Sequence, residues 1–356
     1  MPRGGSLDHE RARALVLEYG WNTTAYQILN PGFALWFSRS HPAVVGFVRA
    51  ARRRVTGGAP VCAEEHLAAV AAEFEQDARA AGERVVYFGA EGRLGSLYAG
   101  AHDHASLLLG AQPVWHPRDW APIISTHASL RAQLNRARNK GVHVELWPAE
   151  RAERNPSLEQ CLQQWLRTRG LPPLHFLVEP ETLGSLSDRR VFVAIREETP
   201  VGFLVASPIP ARNGWLTEQF VRGSGAPNGT AELMIDAAVR WMAEVGAAYV
   251  TLGLAPLSHR AGEGDGEPQS WWLRAAFAWV RAHGKRFYNF GGLDTFKAKF
   301  CPERWEAVYA ITNEPRFSVM SLYAIGAAFT GGRPIRTVLR GLVSAARQEM
   351  RWMAKH

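Results

Sequence analysis

The sequence predicts an α/β (α+β) chain of mixed sheets flanked by helices, long enough for two domains, and three observations predict it. Short apolar runs rich in β-branched and aromatic residues, such as 190–195 and 215–221, alternate with segments whose apolar residues recur every three to four positions. Turn signals punctuate these runs, among them Glu197-Glu-Thr-Pro200 and Asn213-Gly214. The length, 356 residues, suffices for two cores, and 47% hydrophobic with 21% charged residues leaves no stretch polar enough to stay disordered.

In the first half, 33–37 and 43–48 read as strands, 64–81 as a helix burying Leu67, Val70, Ala71 and Phe74, and 84–88 and 105–109 as strands. Arg49, Arg52, Arg53 and Arg54 at a strand end are either solvated charge or a phosphate contact. His102-Asp103-His104 places two histidines two apart with no third ligand near in sequence, so a loop is read and no metal is expected. Residues 130–140 form a helix with Leu130 and Leu134 on one side, Arg131, Arg136, Arg138 and Lys140 elsewhere, and Gly141 as its C-cap. Cations at a helix C-terminus suit the dipole by themselves, and this cluster equally suits a nucleic-acid backbone. A strand at 142–147 and a linker at 148–156 follow.

The second half opens with a meander of 190–195, 201–206 and 215–221, then a loop from Arg222 to Gly229. A helix at 230–245 turns Leu233, Ala237, Trp241 and Val245 inward and leaves Glu232, Asp236, Arg240 and Glu244 as an outer stripe. A strand at 249–254, a helix at 271–283 and a strand at 305–311 complete the order of the acetyltransferase-like (GNAT) fold. Within 287–311, Gly291 and Gly292 break an aromatic segment, and Lys297 and Lys299 stand among Phe296 and Phe300. If the phenylalanines are buried, both ammonium groups sit at the rim of a pocket, placed to bind phosphate or to polarise an ester carbonyl. Two solvated lysines near a helix end account for the same spacing.

The formal charge is +8, and the segment from Arg316 onward carries seven cations against the single anion Glu349. A tail so charged, with aromatics interspersed, suits an anionic bilayer surface, tRNA, or docking on the chain's own core. Cys62, Cys161 and Cys301 form no paired spacing, which fits a reducing compartment, and the charged N-terminus does not read as a signal peptide.

Three segments resemble one known family. Gly292-Leu-x-x-Phe-Lys-x-Lys-Phe-x-Pro-x-x-Trp-Glu-x-x-Tyr309 is similar to the C-terminal signature of the bacterial phosphatidylglycerol lysyltransferases, also called aminoacyl-phosphatidylglycerol synthases or multiple peptide resistance factors. Ala226-Pro-Asn-Gly-Thr-Ala-Glu-Leu-Met-Ile-Asp236, with Leu252-Gly-Leu-Ala-Pro-Leu-Ser258, resembles two further segments of that family. Ser129 to Gly141 resembles the basic helix between its halves.

The resemblance implies tandem GNAT-like domains, here 1–147 and a catalytic 157–315 joined by 148–156, with 316–356 as a basic amphipathic tail. It implies transfer of an aminoacyl group from aminoacyl-tRNA to a hydroxyl of phosphatidylglycerol, or, in the same fold, to a peptide or peptidoglycan precursor. A binding module without turnover is the rival from another class. The family's members carry a large N-terminal membrane domain that these residues do not include, so a separate flippase is an implied partner, and the chain is expected in the cytoplasm, peripheral to the inner face of the membrane. No cofactor is expected: Arg222-Gly-Ser-Gly-Ala-Pro227 departs from a coenzyme A loop, because Pro227 has no N–H to offer pyrophosphate. The implied catalytic residues are Lys297 and Lys299 for the oxyanion or a phosphate, and Glu218 or Asp236 as base or ammonium partner. Arg222, Asn228, Gly229, Thr230, Ser258 and Arg304 would contact substrate, and His259 is a further pocket candidate.

Overall fold

The computed structural model describes residues 4–167, 175–178, 181–262 and 290–331. Gly4–Tyr19 (α1) precedes the antiparallel strands Ala34–Phe37 (β1), Val44–Ala50 (β2) and Arg53–Gly57 (β3). Leu67–Ala80 (α2) then crosses to Arg84–Ala90 (β4), which runs parallel to β3. Ala105–Trp115 (β5), Ala128–Arg138 (α3), Val142–Trp147 (β6) and Pro156–Arg167 (α4) follow. Next comes the meander Arg190–Arg196 (β7), Thr199–Ile209 (β8) and Gly214–Arg222 (β9). Thr230–Glu244 (α5) crosses from it to Tyr249–Thr251 (β10), parallel to β9. Ala255–Pro256 (β11), Phe290–Ala298 (α6), Arg304–Thr312 (β12) and Val319–Phe329 (α7) close the described chain. Each half thus repeats one unit, antiparallel strands followed by a helical crossover to a parallel partner.

The helices form where apolar spacing gives them a face to bury. In α2, Leu67, Val70, Ala71 and Phe74 are all buried, and α3 buries Leu130, Leu134 and Ala137. The strands join in one sheet, ordered β1-β2-β3-β4-β12-β5-β10-β9-β8-β7-β6, with β11 against β5. This interleaves segments that the division at 148–156 separates. β6, from before that boundary, is the edge strand beside β7, and β12, from after it, lies between β4 and β5. Order along the chain did not reveal that exchange, because β12 bonds to strands nearly two hundred residues before it.

Of the four arginines read as solvated or phosphate-binding, Arg49, Arg53 and Arg54 are paired with carboxylates of the protein. Ala51 and Arg52 take left-handed conformations that turn β2 into β3. Arg54 is buried and bridges Asp77 at 2.7 Å and Glu83 at 2.6 Å, while Arg53 reaches Glu314 at 3.0 Å and Arg49 reaches Glu83. Charge that looked external in the sequence serves to pin β3 to α2 and to the segment before α7.

Helix α5 also departs from the predicted stripe. Leu233 is buried, but so are Glu232 and Asp236, while Val245 is exposed. The reason is α3, which packs along the face read as outer. Asp236 accepts bonds there from Trp120 Nε1 at 3.0 Å, Arg240 at 2.9 Å and Arg138 at 3.1 Å. Its carboxylate is committed to joining α3 to α5. Gly229, the N-cap of α5, has φ +95°, and a Cβ there would lie 2.1 Å from the Gln133 carbonyl oxygen. Neither Asn228 nor Thr230 provides the cap: the Thr230 hydroxyl donates to Pro227 O instead, and Asn228 is exposed.

Two buried ion clusters lock the halves together. Arg189 grips both oxygens of Glu218 at 2.8 and 2.9 Å, donates to Asn30 Oδ1 at 2.7 Å, and lies over the Tyr26 ring. Glu218 is the extra residue of a bulge in β9, between Gln219 opposite Val205 and Thr217 opposite Ala206. Glu218, proposed from the sequence as a base, is therefore occupied by a bidentate ion pair. Arg212 bridges Glu91 at 3.1 Å and Glu306 at 2.7 Å and is sandwiched by Trp21 and Tyr249. The helix read at 271–283, the aromatic residues 287–289 and the tail beyond Gly331 lie outside the described residues.

Glu218→Gln should lower unfolding stability by about 3 kcal/mol, because it strands the buried Arg189 charge; urea denaturation reads this, and unchanged stability would remove the ion pair from the structural account. Gly229→Ala should cost ~2 kcal/mol or more, from both its φ and the close approach of α3. A wild-type melting temperature in that variant would contradict the α3 to α5 packing.

Candidate active site at the open end of the second parallel pair

The two parallel pairs differ in one respect. β3 pairs with β4 over its whole length, from Arg53↔Arg84 to Gly57↔Phe88. β9 and β10 pair only from Gly214↔Tyr249 to Leu216↔Thr251, although β9 continues to Arg222. Beyond Leu216 the strands part, and a side chain replaces the ladder: Thr217 Oγ1 donates to Thr251 O at 3.4 Å. The chain after β10 turns away through Gly253 and Leu257, both at positive φ, and rejoins the sheet where Ala255 pairs with Ala111 on β5. A wedge opens between β9 and residues 252–258.

Helix α6 lies at this wedge and is held by four side chains. Phe296 stacks on Phe220 of β9, with ring centroids 5.6 Å apart, and meets Phe300 edge to face. Lys299 pairs with Glu232 in the first turn of α5 and lies over the Phe296 ring at 4.0 Å. Asp294 pairs with Arg260 at 2.9 Å. Lys297 points inward: it is 3% exposed, and Nζ donates to Gly253 O and Leu254 O, each at 2.8 Å.

The two lysines therefore do not share a rim as expected. Two residues apart on a helix they diverge by about 200°; Lys299 keeps the predicted aromatic support, and Lys297 enters the protein. Burial pushes the Lys297 amine from 10.5 down to about 7, with Asp294 pulling the other way. A neutral amine has two N–H groups and one lone pair. The two carbonyls take both hydrogens, which leaves the lone pair for a third partner. The arrangement suits an amine that gains and loses a proton near neutrality.

The other sequence candidates are distributed around this centre. Arg222 ends β9 and is exposed, at the start of the 222–229 loop. Asn228, Gly229 and Thr230 begin α5 one turn before Glu232, so the helix N-terminus adjoins the Lys299 pair. Ser258 is buried, and its Oγ accepts from the Arg260 backbone N–H, while His259 is exposed. Arg304 is tied to Glu306 at 3.0 Å and Glu303 at 3.3 Å on β12. Glu218 and Asp236 are held in the ion pairs described above. Sequence reasoning missed the carbonyls of Gly253 and Leu254, the Thr217 bridge and Phe220. Only Gly253, a glycine inside an apolar strand run, signalled a special backbone position in advance.

A phosphatidylglycerol lysyltransferase of Bacillus subtilis (strain 168) is 27% identical to this chain over 333 residues, covering 91% of the chain and 37% of that protein. The chain thus spans little more than a third of that relative's length. Among solved structures, the C-terminal domain of a protein named for lysylphosphatidylglycerol synthetase, from Agrobacterium fabrum, superposes with a TM-score of 0.75 at 22% identity, covering 92% of this chain and 98% of that one. The structure of L-PGS from Bacillus licheniformis gives 0.70 at 22% identity, covering 95% and 96%. These likenesses establish the fold. With its residues 13–312 matched by the family model, the chain belongs to the family described as phosphatidylglycerol lysyltransferase, C-terminal.

Proposed function

We propose that this chain transfers an aminoacyl group from aminoacyl-tRNA to a hydroxyl of phosphatidylglycerol by transesterification. The lipid hydroxyl oxygen attacks the ester carbonyl carbon. A new ester bond forms as the bond to the terminal ribose oxygen of the tRNA breaks, and that oxygen leaves with the proton the lipid gave up. The bond broken and the bond made are alike, so positioning and proton transfer supply the rate and no redox partner is needed.

The observation that carries this reading is the Lys297 amine, bonded to two carbonyls where β9 and β10 part. Lys297 takes the lipid proton and returns it to the departing oxygen. Lys299 keeps α6 in place through Glu232, and its charge, at the start of α5, faces the developing negative charge. Arg222 contacts phosphate at the mouth, Ser258 shapes the wall, and Arg304 assists through the β12 cluster. On this reading the chain works at the cytoplasmic face of the membrane, where the basic segment after Arg316 meets anionic lipid, and a separate flippase carries the product across.

Incubating the protein with a pool of charged, radiolabelled tRNAs and phosphatidylglycerol vesicles should move label into the organic phase. Label that stays aqueous, with folded protein bound to the vesicles, sinks the lipid reading and favours a peptide acceptor. Lys297→Met should lower the rate by about 10²-fold or more, and Lys297→Arg should not restore it, because guanidinium keeps its proton; an active arginine variant would make the residue a fixed cation instead. The wild-type rate should rise as pH passes upward through about 7, where Lys297 becomes neutral. Stability follows the same group. Between about 7 and 10.5 the unfolded chain holds a proton that the native lysine has lost, so native stability rises with pH across that window. Lys297→Met should remove this component, and equal pH slopes for the two proteins by denaturant titration would count against the burial.

A further inference from the structure

We propose that His104 is a proton-operated clasp that ties the turn leading into β5 to helix α2, closed while the ring carries both protons and opened when it gives one up. The ring lies between two carboxylates. Its Nδ1 is 2.8 Å from Asp103 Oδ1, and its Nε2 is 3.1 Å from Glu75 Oε1 and 3.3 Å from Glu75 Oε2. A neutral imidazole has one N–H and one lone pair, so at one end a lone pair would face carboxylate oxygens. Only the imidazolium donates at both ends.

The groups around the ring decide where that proton is held. Glu75 belongs to α2 and is 3% exposed. Its Oε1 also accepts from the Tyr87 hydroxyl of β4 at 3.0 Å and from the Tyr98 hydroxyl, at the end of the short helix Gly92–Leu97, at 2.7 Å. Burial, with Glu75 beside them, raises both phenols above their ordinary range, so they keep their protons and act as donors. Glu75 is thus a buried anion, and among the described residues two cations reach it: exposed Arg79 at 3.7 Å, and His104. Stacking on Tyr98, with ring centroids 3.8 Å apart, fixes the imidazole in this position. Burial by itself disfavours the charged ring, and the bonds to Glu75 and Asp103 outweigh it and hold the group above its ordinary 6.5.

The two carboxylates respond differently when the proton leaves. Buried Glu75 keeps the remaining N–H, because a buried charge that loses a donor is costly. The Asp103 carboxylate is 75% exposed and turns to water instead. The contact that opens is therefore the one in the turn, where the Ala101 N–H donates to Tyr98 O and the His104 N–H to Ala101 O. The next residue, Ala105, starts β5 and pairs with Thr312 of β12, and the same strand receives β11 at the wedge. Acid surroundings fix the entry to this central strand, and alkaline surroundings loosen it.

The test is a proton NMR titration of the His104 ring in the whole chain, assigned with His104→Gln, beside the variant Asp103→Asn. The wild-type ring should titrate above 6.5, and Asp103→Asn should move its midpoint to lower pH. Backbone hydrogen exchange at Ala101 and His104, corrected for its intrinsic rise with pH, should quicken about threefold between acid and alkaline solution in wild type and show no such step in Asp103→Asn. Stability has the matching sign. The His104 contribution is complete below 6.5 and is lost as pH rises through the native value, so the stability difference between wild type and His104→Gln should shrink across that window. A wild-type ring that titrates at or below 6.5 overturns the proposal, as does an exchange step that persists in Asp103→Asn. If His104→Gln does not fold, the Asp103→Asn comparison still decides, since that substitution alters an exposed group.

Discussion

Two parallel strands that stop pairing leave backbone groups which something else must satisfy, and much of the second half is arranged around that constraint. After Leu216 and Thr251 the ladder between β9 and β10 ends. The Thr217 hydroxyl bridges the first gap, β5 takes the Ala255 pairing, and the carbonyls of Gly253 and Leu254 are met by an amine from α6. In the first half the corresponding pair stays closed, and the backbone needs no such help. The same unsatisfied backbone that opens the wedge is what draws Lys297 into it. Burial cost and site chemistry thus have one origin: a lysine satisfies two carbonyls at the expense of its charge.

Much of the fold was legible because its elements obey simple periodicities. The meander, α5, α2 and β6 follow from apolar spacing and turn residues, and 142–147 matches its strand to the residue. The motifs that resemble the family are brought together by the fold, since 252–258, 226–236 and 292–309 meet at the wedge. Side-chain direction was less legible. Lys297 and Lys299 look equivalent in sequence, and only the seating of α6 on β9 decides that one points in and the other stays with the aromatics. Glu218 and Asp236 look available, because pairing with Arg189, Arg138 and Trp120 joins residues 29 to 116 apart that no local pattern connects.

Charge in this protein divides into two populations. Arg54, Arg189 and Arg212 are buried, each with two or more acceptors, and they join elements distant in the chain. Removing either partner of such a pair costs more than the pair contributes, so they act as fixed points of geometry. Arg136, Lys140 and Arg222 are exposed. Net charge alone does not separate these groups. Partner accounting does, and it locates the spare positive potential on the α3 side of the wedge.

The exchange that places β12 between β4 and β5 bears on how the chain can be made. Until residue 312 has left the ribosome, β4 and β5 each present an unpaired inner edge, and the first half cannot complete its sheet alone. Contacts spanning nearly two hundred residues must form last, which favours slow, all-or-none acquisition of structure over stepwise maturation of two modules. A nascent chain of this design is exposed to strand-edge misassembly until β12 is made, and a break anywhere before β12 leaves β4 and β5 without the strand that joins them.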